Sequence, residues 1–179
     1  MSLVLLFPTR NSDGTKARQF SKVEEHVVGE KVYYIRQLEG HLDNACGTIA
    51  MLHSLLNNRS VLGLEEDQHV VEKFYNQTKD MDGEQRGKYL DTYEEIMGVH
   101  NKLVGEGQSH MVQSEKVKIV RVGMDNFYSN VLLPKVCHHF VCLTSVEGHL
   151  VELDGAYNSG PVVVERIQEG DTLLSSAAR

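Results

Sequence analysis

Residues 139–154 constrain the fold more tightly than any other stretch, because their pattern admits one compact local structure. Two runs rich in Val, Leu, Phe and Thr, residues 139–146 and 149–154, flank the pair Glu147-Gly148. Such runs joined by two residues ending in Gly predict an antiparallel hairpin. The turn fixes the register: Val146 stands beside His149, Val141 opposite Asp154, and His139 opposite Ala156. His139 and Asp154 then share a face as diagonal neighbours roughly 7–8 Å apart, a gap that an imidazole and a carboxylate close by reaching toward each other. Phe140, Cys142, Val146, Val151 and Leu153 share the opposite face, as core packing requires. The hairpin builds a His–Asp pair turned away from that apolar layer, although Asp154, preceding Gly155, also reads as a turn residue.

Helical period takes over near Asn44. Ala45, Ile49, Leu52 and Leu56 share one face, with Thr48, Met51 and Leu55 on an adjoining one, which predicts a central, buried helix. Asn44 or Asp43 suits its N-cap, and Asn57-Asn58 its exit. Cys46 falls in the first turn, where unpaired N–H groups and the helix dipole favour a thiolate. It reads equally as a nucleophile and as a small core residue. His53, two turns along, is too distant to deprotonate Cys46 and reads as a packed or surface side chain.

Elsewhere the pattern predicts a buried strand over residues 3–7 ended by Pro8, a loop with some helix to about residue 30, and a strand over 31–36. Helices follow over 64–78 and 83–103, the second turning Tyr89, Leu90, Tyr93, Ile96, Met97 and His100 to one side. Residues 104–134 read as a long mobile connection, 161–164 as an edge strand, and the tail beyond Gly170 as poor in apolar content. The whole is a mixed α/β chain.

With 179 residues and 41% hydrophobic content, residues 1–179 can fill one core and are expected to form a single domain. No apolar run approaches bilayer length, and residues 2–7 are too short for a signal peptide. Cys46, Cys137 and Cys142 form no pairing framework, so the expected setting is the reducing cytoplasm. A net charge of -7 disfavours a nucleic-acid partner and permits a basic peptide or protein. Cys137, His138, His139 and Cys142 include the residue types that bind zinc, but alternation turns Cys142 away from Cys137 and His139, which argues against a metal site. No phosphate loop or paired-carboxylate site stands out, and no cofactor is implied.

The sequence Asn44-Ala45-Cys46-Gly47-Thr48-Ile49, followed by His53 and Asn57-Asn58, resembles the ubiquitin carboxyl-terminal hydrolases, papain-like deubiquitinases. Val4-Leu5-Leu6-Phe7-Pro8 is similar to the family's strand before the active site, and Val32-Tyr33-Tyr34-Ile35-Arg36-Gln37 to the strand ending in its oxyanion Gln. The stretch from Arg86 to Tyr93 resembles the helix leading to the family's crossover loop. His139-Phe140, Gly148-His149-Leu150 and Glu152-Leu153-Asp154-Gly155 resemble its His and Asp blocks. The resemblance implies an α/β (α+β) papain-like fold, with the Cys helix packed on a central antiparallel sheet and helices around it. It implies hydrolysis of bonds to the C-terminal Gly of ubiquitin by a Cys-His-Asp triad: Cys46 attacks, His139 moves the proton, Asp154 orients the imidazole, and Gln37 stabilises the oxyanion. Ubiquitin is then the partner, with no nucleic acid, membrane or metal involved, and residues 104–134 form the crossover loop. A catalytically weak ubiquitin-binding protein is the alternative. The interval from Gln37 to Cys46 is longer than in the family pattern, which predicts a displaced Gln37 amide and slow turnover.

Overall fold

The computed structural model describes residues 1–10, 32–38, 45–66, 69–106, 136–157 and 160–178. Four antiparallel strands, β1 (Ser2–Arg10), β2 (Val136–Val146), β3 (His149–Leu153) and β4 (Val162–Arg166), form a sheet in the order β1-β2-β3-β4. The β2–β3 hairpin has the register the turn dictates, with Val146 paired to His149 and Cys142 to Leu153. Glu147 and Gly148 both take positive φ, 50° and 77°. That turn matches the right-handed twist of the flanking strands.

β1 departs from expectation. It runs through Pro8, which lies opposite His138, to Arg10. As an edge strand it tolerates a missing N–H, because half its backbone groups meet no ladder. Its position at the edge also leaves Val4 44% and Leu6 53% exposed, so the strand is not buried.

Helix α1 (Cys46–Leu56) packs on the sheet, where Phe140, Cys142, Val146, Val151 and Leu153 gather with Ala50, Val32 and Tyr34. Its Ala45–Ile49–Leu52–Leu56 face is buried in a second cluster with Tyr33, Ile35, Phe74, Leu90 and Ile96. Two sectors of the helix are covered, and Met51, in the third, is 57% exposed against expectation. On the sheet's other face Leu143 and Leu150 meet Leu3, Leu5 and Leu173. Leu173 lies in α5 (Leu173–Ala177), so the tail does contribute to packing.

Both long helices expected after α1 are broken. A 3-10 turn (Leu64–Glu66) precedes α2 (Val70–Thr78), whose extended N-cap His69 accepts the Val71 N–H through its ring. α3 (Gly83–Thr92) opens with an Asp82–Gln85 capping box and stops at Tyr93, whose ψ of 90° is extended. That residue sets its ring edge-on to Phe74, 5.3 Å between centroids, and 5.8 Å from Tyr89. Aromatic packing outweighs one helical residue here. α4 (Glu94–Glu106) then includes the start of the expected long connection. The remainder of that connection, 107–134, and most of the predicted loop before residue 31 lie outside the described residues.

Residues 32–38 do not form the expected strand. They keep a strand's alternation, with Tyr33 and Ile35 in the helical cluster and Val32 and Tyr34 in the cluster on the sheet. Their backbone groups have partners other than a ladder. Ile35 bonds to the His53 side chain of α1 and Tyr33 to that of its C-cap Asn57, while the Tyr34 carbonyl accepts from Arg86 Nη1 at 3.1 Å and the Arg36 N–H donates to the Gly83 carbonyl at 2.9 Å.

Candidate active site

The first turn of α1 carries no side-chain cap. Its N-cap is Ala45, with helical φ/ψ, and the expected caps Asp43 and Asn44 lie outside the described residues. Cys46 opens the helix, half-buried, with its thiol free of any disulfide. β3 leaves β2 after the Cys142–Leu153 pair. Two positions beyond that pair, the Phe140 N–H turns to the Cys46 sulfur, as does the Gly47 N–H. A Cβ on Gly47 would lie 3.3 Å from the Phe140 ring, so glycine lets the helix start sit close against the strand.

His139 bridges the sulfur and a carboxylate. Its Nε2 lies 2.9 Å from both Oδ1 and Oδ2 of Asp154, and its ring also hydrogen-bonds the Cys46 thiol. With Nε2 engaged by the carboxylate, Nδ1 is the nitrogen left for sulfur. Asp154 is only 4% exposed. The Ala156 N–H donates to its Oδ1 at 2.9 Å, and the Tyr34 hydroxyl lies 2.6 Å from its carbonyl oxygen and 2.7 Å from that of Tyr157. Burial and the Asp154 charge raise the Tyr34 pKa and keep that hydroxyl a donor.

Proton affinities within this chain move in opposite directions. Burial alone would raise the Cys46 thiol, but the hydrogen bond and charge of His139 together with the Phe140 and Gly47 N–H groups bring it below the ordinary thiol value. His139 is raised to about 10, first by its hydrogen bond to Asp154 and then by that to Cys46, against desolvation. Each shift favours the thiolate–imidazolium form of the pair over the neutral one. Cys142, buried with no such partners, is pushed up to about 12.

Cys46, His139 and Asp154, the three residues singled out as a triad, are thus brought together. The Gln37 N–H donates to the Gly155 carbonyl at 2.8 Å, which ties its backbone to the turn following Asp154. The Gln37 backbone makes this bond although the Gln37–Cys46 interval is longer than in the family pattern, and residues 39–44 of that interval lie outside the described residues. Cys142 lies in the cluster beneath α1, on the face opposite His139. Among the described residues no three metal-binding side chains gather, and no helix is long and apolar enough to cross a membrane.

The sequence profile of "Ubiquitin carboxyl-terminal hydrolase, family 1" matches residues 1–179. The chain belongs to this family. It is 32% identical to human ubiquitin carboxyl-terminal hydrolase isozyme L1 over 180 residues, covering 99% of this chain and 68% of that protein. A Drosophila melanogaster ubiquitin carboxyl-terminal hydrolase is 31% identical over 157 residues, covering 86% of this chain and 58% of the relative. Among solved structures, the Trichinella spiralis UCH37 catalytic domain bound to ubiquitin vinyl methyl ester superposes with a TM-score of 0.62 at 21% identity. The match covers 98% of this chain, which spans 64% of that one. The papain-like fold implied by resemblance is therefore the observed one, a mixed helical and antiparallel architecture.

Three further side chains shape this ubiquitin carboxyl-terminal hydrolase site and escaped sequence reasoning as contributors. They are Tyr34, on the Asp154 carbonyl, and His53 and Asn57, on the backbone of residues 33–35. A signal existed for the last two, a polar i, i+4 pair on the buried face at the end of a largely apolar helix.

Proposed function

We propose that the chain is a thiol-dependent hydrolase of bonds to the C-terminal Gly of ubiquitin, acting in the cytoplasm with no cofactor. The observation that carries this reading is the continuous hydrogen-bonded chain from the Cys46 thiol through His139 to the buried Asp154, with sulfur biased toward the thiolate. Cys46 attacks the Gly carbonyl carbon as the His139 imidazolium protonates the leaving amine or alkoxide, and the scissile bond breaks to leave a thioester. Neutral His139 then takes a proton from water, hydroxide adds to the thioester, and the Cys46 thiolate leaves. Asp154 keeps Nε2–H bound, so that Nδ1 stays aimed at the sulfur. The Gln37 amide and the Cys46 N–H stabilise the oxyanion in both steps.

The test is covalent capture. Ubiquitin vinyl methyl ester, the group bound in the UCH37 neighbour, is expected to form a one-to-one adduct with the purified chain. Cys46→Ala should abolish it, while Cys137→Ala and Cys142→Ala should leave it. Adduct that persists without Cys46 sinks the assignment. Reversible ubiquitin binding with no adduct would instead establish the weakly catalytic alternative.

A further inference from the structure

Toward residues 33–35, α1 and its C-cap residue present two polar side chains, His53 and Asn57. His53 is fully buried and Asn57 partly so. Together with Cys46 they occupy positions i, i+7 and i+11, one stripe along the helix. Both are directed at the segment that ends in Gln37. Asn57 Oδ1 accepts the Tyr33 N–H and its Nδ2 donates to the Tyr33 carbonyl, each at 2.8 Å. His53 Nε2 accepts the Ile35 N–H at 2.9 Å. The same Nε2 lies 3.2 Å from the Ile35 carbonyl oxygen, so the ring sits against both backbone groups of Ile35. Complete burial holds His53 down at about 4, against the opposing influence of the Leu153 and Ile35 backbone.

The two spacings agree. Four residues of helix rise ~6 Å and two extended residues advance ~6.6 Å, so one stripe of α1 can serve every second residue of an extended run. This stripe replaces a neighbouring strand. One further step toward the helix start brings Gln37 to the level of Ile49. Crowding at Gly155 agrees: a Cβ there would lie 2.9 Å from Ile49 Cγ2 and 3.4 Å from Gln37 Cβ. The last step of the stripe is Cys46. The Gly155 carbonyl holds the Gln37 backbone toward the Asp154 turn, while His53 and Asn57 hold the residues that precede it against α1.

We infer that His53 and Asn57 are positioning residues that set the height of Gln37 along α1 and thereby aim its amide at the oxyanion formed when Cys46 attacks. The inference rests on the reading of Gln37 as an oxyanion donor. Such a donor must lie within about 2.7–3.1 Å of a charge that exists only in the transition state. A sideways slip of the run by a fraction of a residue is enough to lose it.

The experiment is a double-mutant cycle on the full chain, with steady-state hydrolysis of a ubiquitin C-terminal aminocoumarin amide. His53→Leu fills the space but cannot accept the Ile35 N–H, whereas His53→Gln restores an acceptor. Gln37→Ala alone should cost about 10²–10³ in kcat. His53→Leu should cost about 10–100-fold in kcat with KM within about twofold, the signature of an interaction made only in the transition state. His53→Gln should recover most of that loss, and the iodoacetamide rate of Cys46, which needs no oxyanion, should not change. In the Gln37→Ala background His53→Leu should cost almost nothing. Multiplying losses, or alkylation that falls in step with kcat, overturn the positioning role. A Gln37→Ala variant with unaltered kcat removes the oxyanion reading itself, a distinct result. Should His53→Leu lose its cooperative melt, the same cycle run with Asn57→Ala decides.

Discussion

The β2–β3 hairpin and residues 32–38 are both apolar extended runs against α1, but they are held in opposite ways. In the hairpin, main chain bonds main chain from Val146–His149 to Cys142–Leu153, and no side chain is needed to keep the register. In residues 32–38 the partners are Asn57, His53, Arg86 and the backbone carbonyls of Gly83 and Gly155. The first arrangement tolerates side-chain changes because a ladder is sequence-blind. The second makes the position of Gln37, the proposed oxyanion donor, depend in part on individual side chains, and each one removed leaves a buried N–H or C=O unpaired, at a cost of about 1–3 kcal/mol. The reactive chemistry sits between them, in the notch where the ladder ends and the Phe140 N–H turns to sulfur.

The largest contrast should appear between two thiols on either side of that notch. Cys142 lies within the ladder and is pushed up to about 12, so at pH 7 its thiolate fraction is only ~10⁻⁵. Cys46 is lowered. Iodoacetamide should modify Cys46 at least about 10³-fold faster than Cys142 at neutral pH, as read by peptide mass spectrometry. Between the lowered Cys46 value and the His139 value of about 10, the thiolate–imidazolium pair persists. kcat/KM should therefore hold a plateau that begins below the usual thiol range and ends as pH rises through about 10. The stabilising contribution of His139 has the sign of a raised base: complete below its unfolded value of 6.5, lost as pH climbs through about 10. Equal alkylation of both cysteines would mean that the notch does not activate sulfur.

Next in size is the alternation of β2. His139→Ala should cost about 10²–10⁴ in kcat, the usual worth of a positioned acid–base group. His138→Ala should leave kcat within about twofold, because successive positions of a strand point to opposite faces. The reverse ranking would mean a register error of one residue, and would break the claim that the ladder presents His139 to Asp154.

The same contrast explains what was legible in the sequence. The hairpin could be read from residues 139–154 because its information is local: a two-residue turn fixes the register, and alternation fixes the faces. The buried stripe of α1 was readable for the same reason. Val32-Tyr33-Tyr34-Ile35 looks like a strand because nothing in a run of apolar residues says what its N–H groups will meet, and the partners lie 18 and more positions away in the chain. Tyr93 breaks a helix for rings on other turns, and Pro8 fails to end β1 because an edge strand has spare backbone groups. The residue types of Cys46, His139 and Asp154 announced them as candidates. The hairpin register brought His139 and Asp154 together on paper, but the approach of Cys46 to that pair is a long-range fact that only the known family pattern anticipated.

A smaller effect should follow from pressing on residues 32–38 through their backbone. A Cβ on Gly87 would lie 2.1 Å from the Arg36 carbonyl oxygen, and a carbonyl cannot rotate aside as a side chain can. Gly87→Ala gains roughly 1 kcal/mol in helix propensity but must move either α3 or the segment, a strain of about 1–3 kcal/mol. A net loss of about 1 kcal/mol should lower Tm by ~2–4 °C, together with a fall in kcat, since Gln37 follows Arg36. A raised Tm with unchanged kcat would show that the segment yields freely and does not hold Gln37 in place.

The smallest effect belongs to the hairpin turn. Glu147 stands at φ 50°, a left-handed conformation costing most L-residues roughly 1–2 kcal/mol. Asn and Asp are the side chains other than Gly that adopt it readily, and Asn-Gly is the preferred pair for this turn. Glu147→Asn keeps the chain path and removes part of that strain. A gain of about 0.5–1 kcal/mol corresponds to a Tm raised by only ~1–4 °C for a chain of this size. Catalysis should not respond, because the ladder between the turn and His139 is already in register and stabilising it leaves the notch where it was. That is the behaviour expected of an element whose geometry is locally complete. A kcat that rose or fell with Tm would show that the turn reaches the active site after all, and that the hairpin is no more independent of its surroundings than residues 32–38.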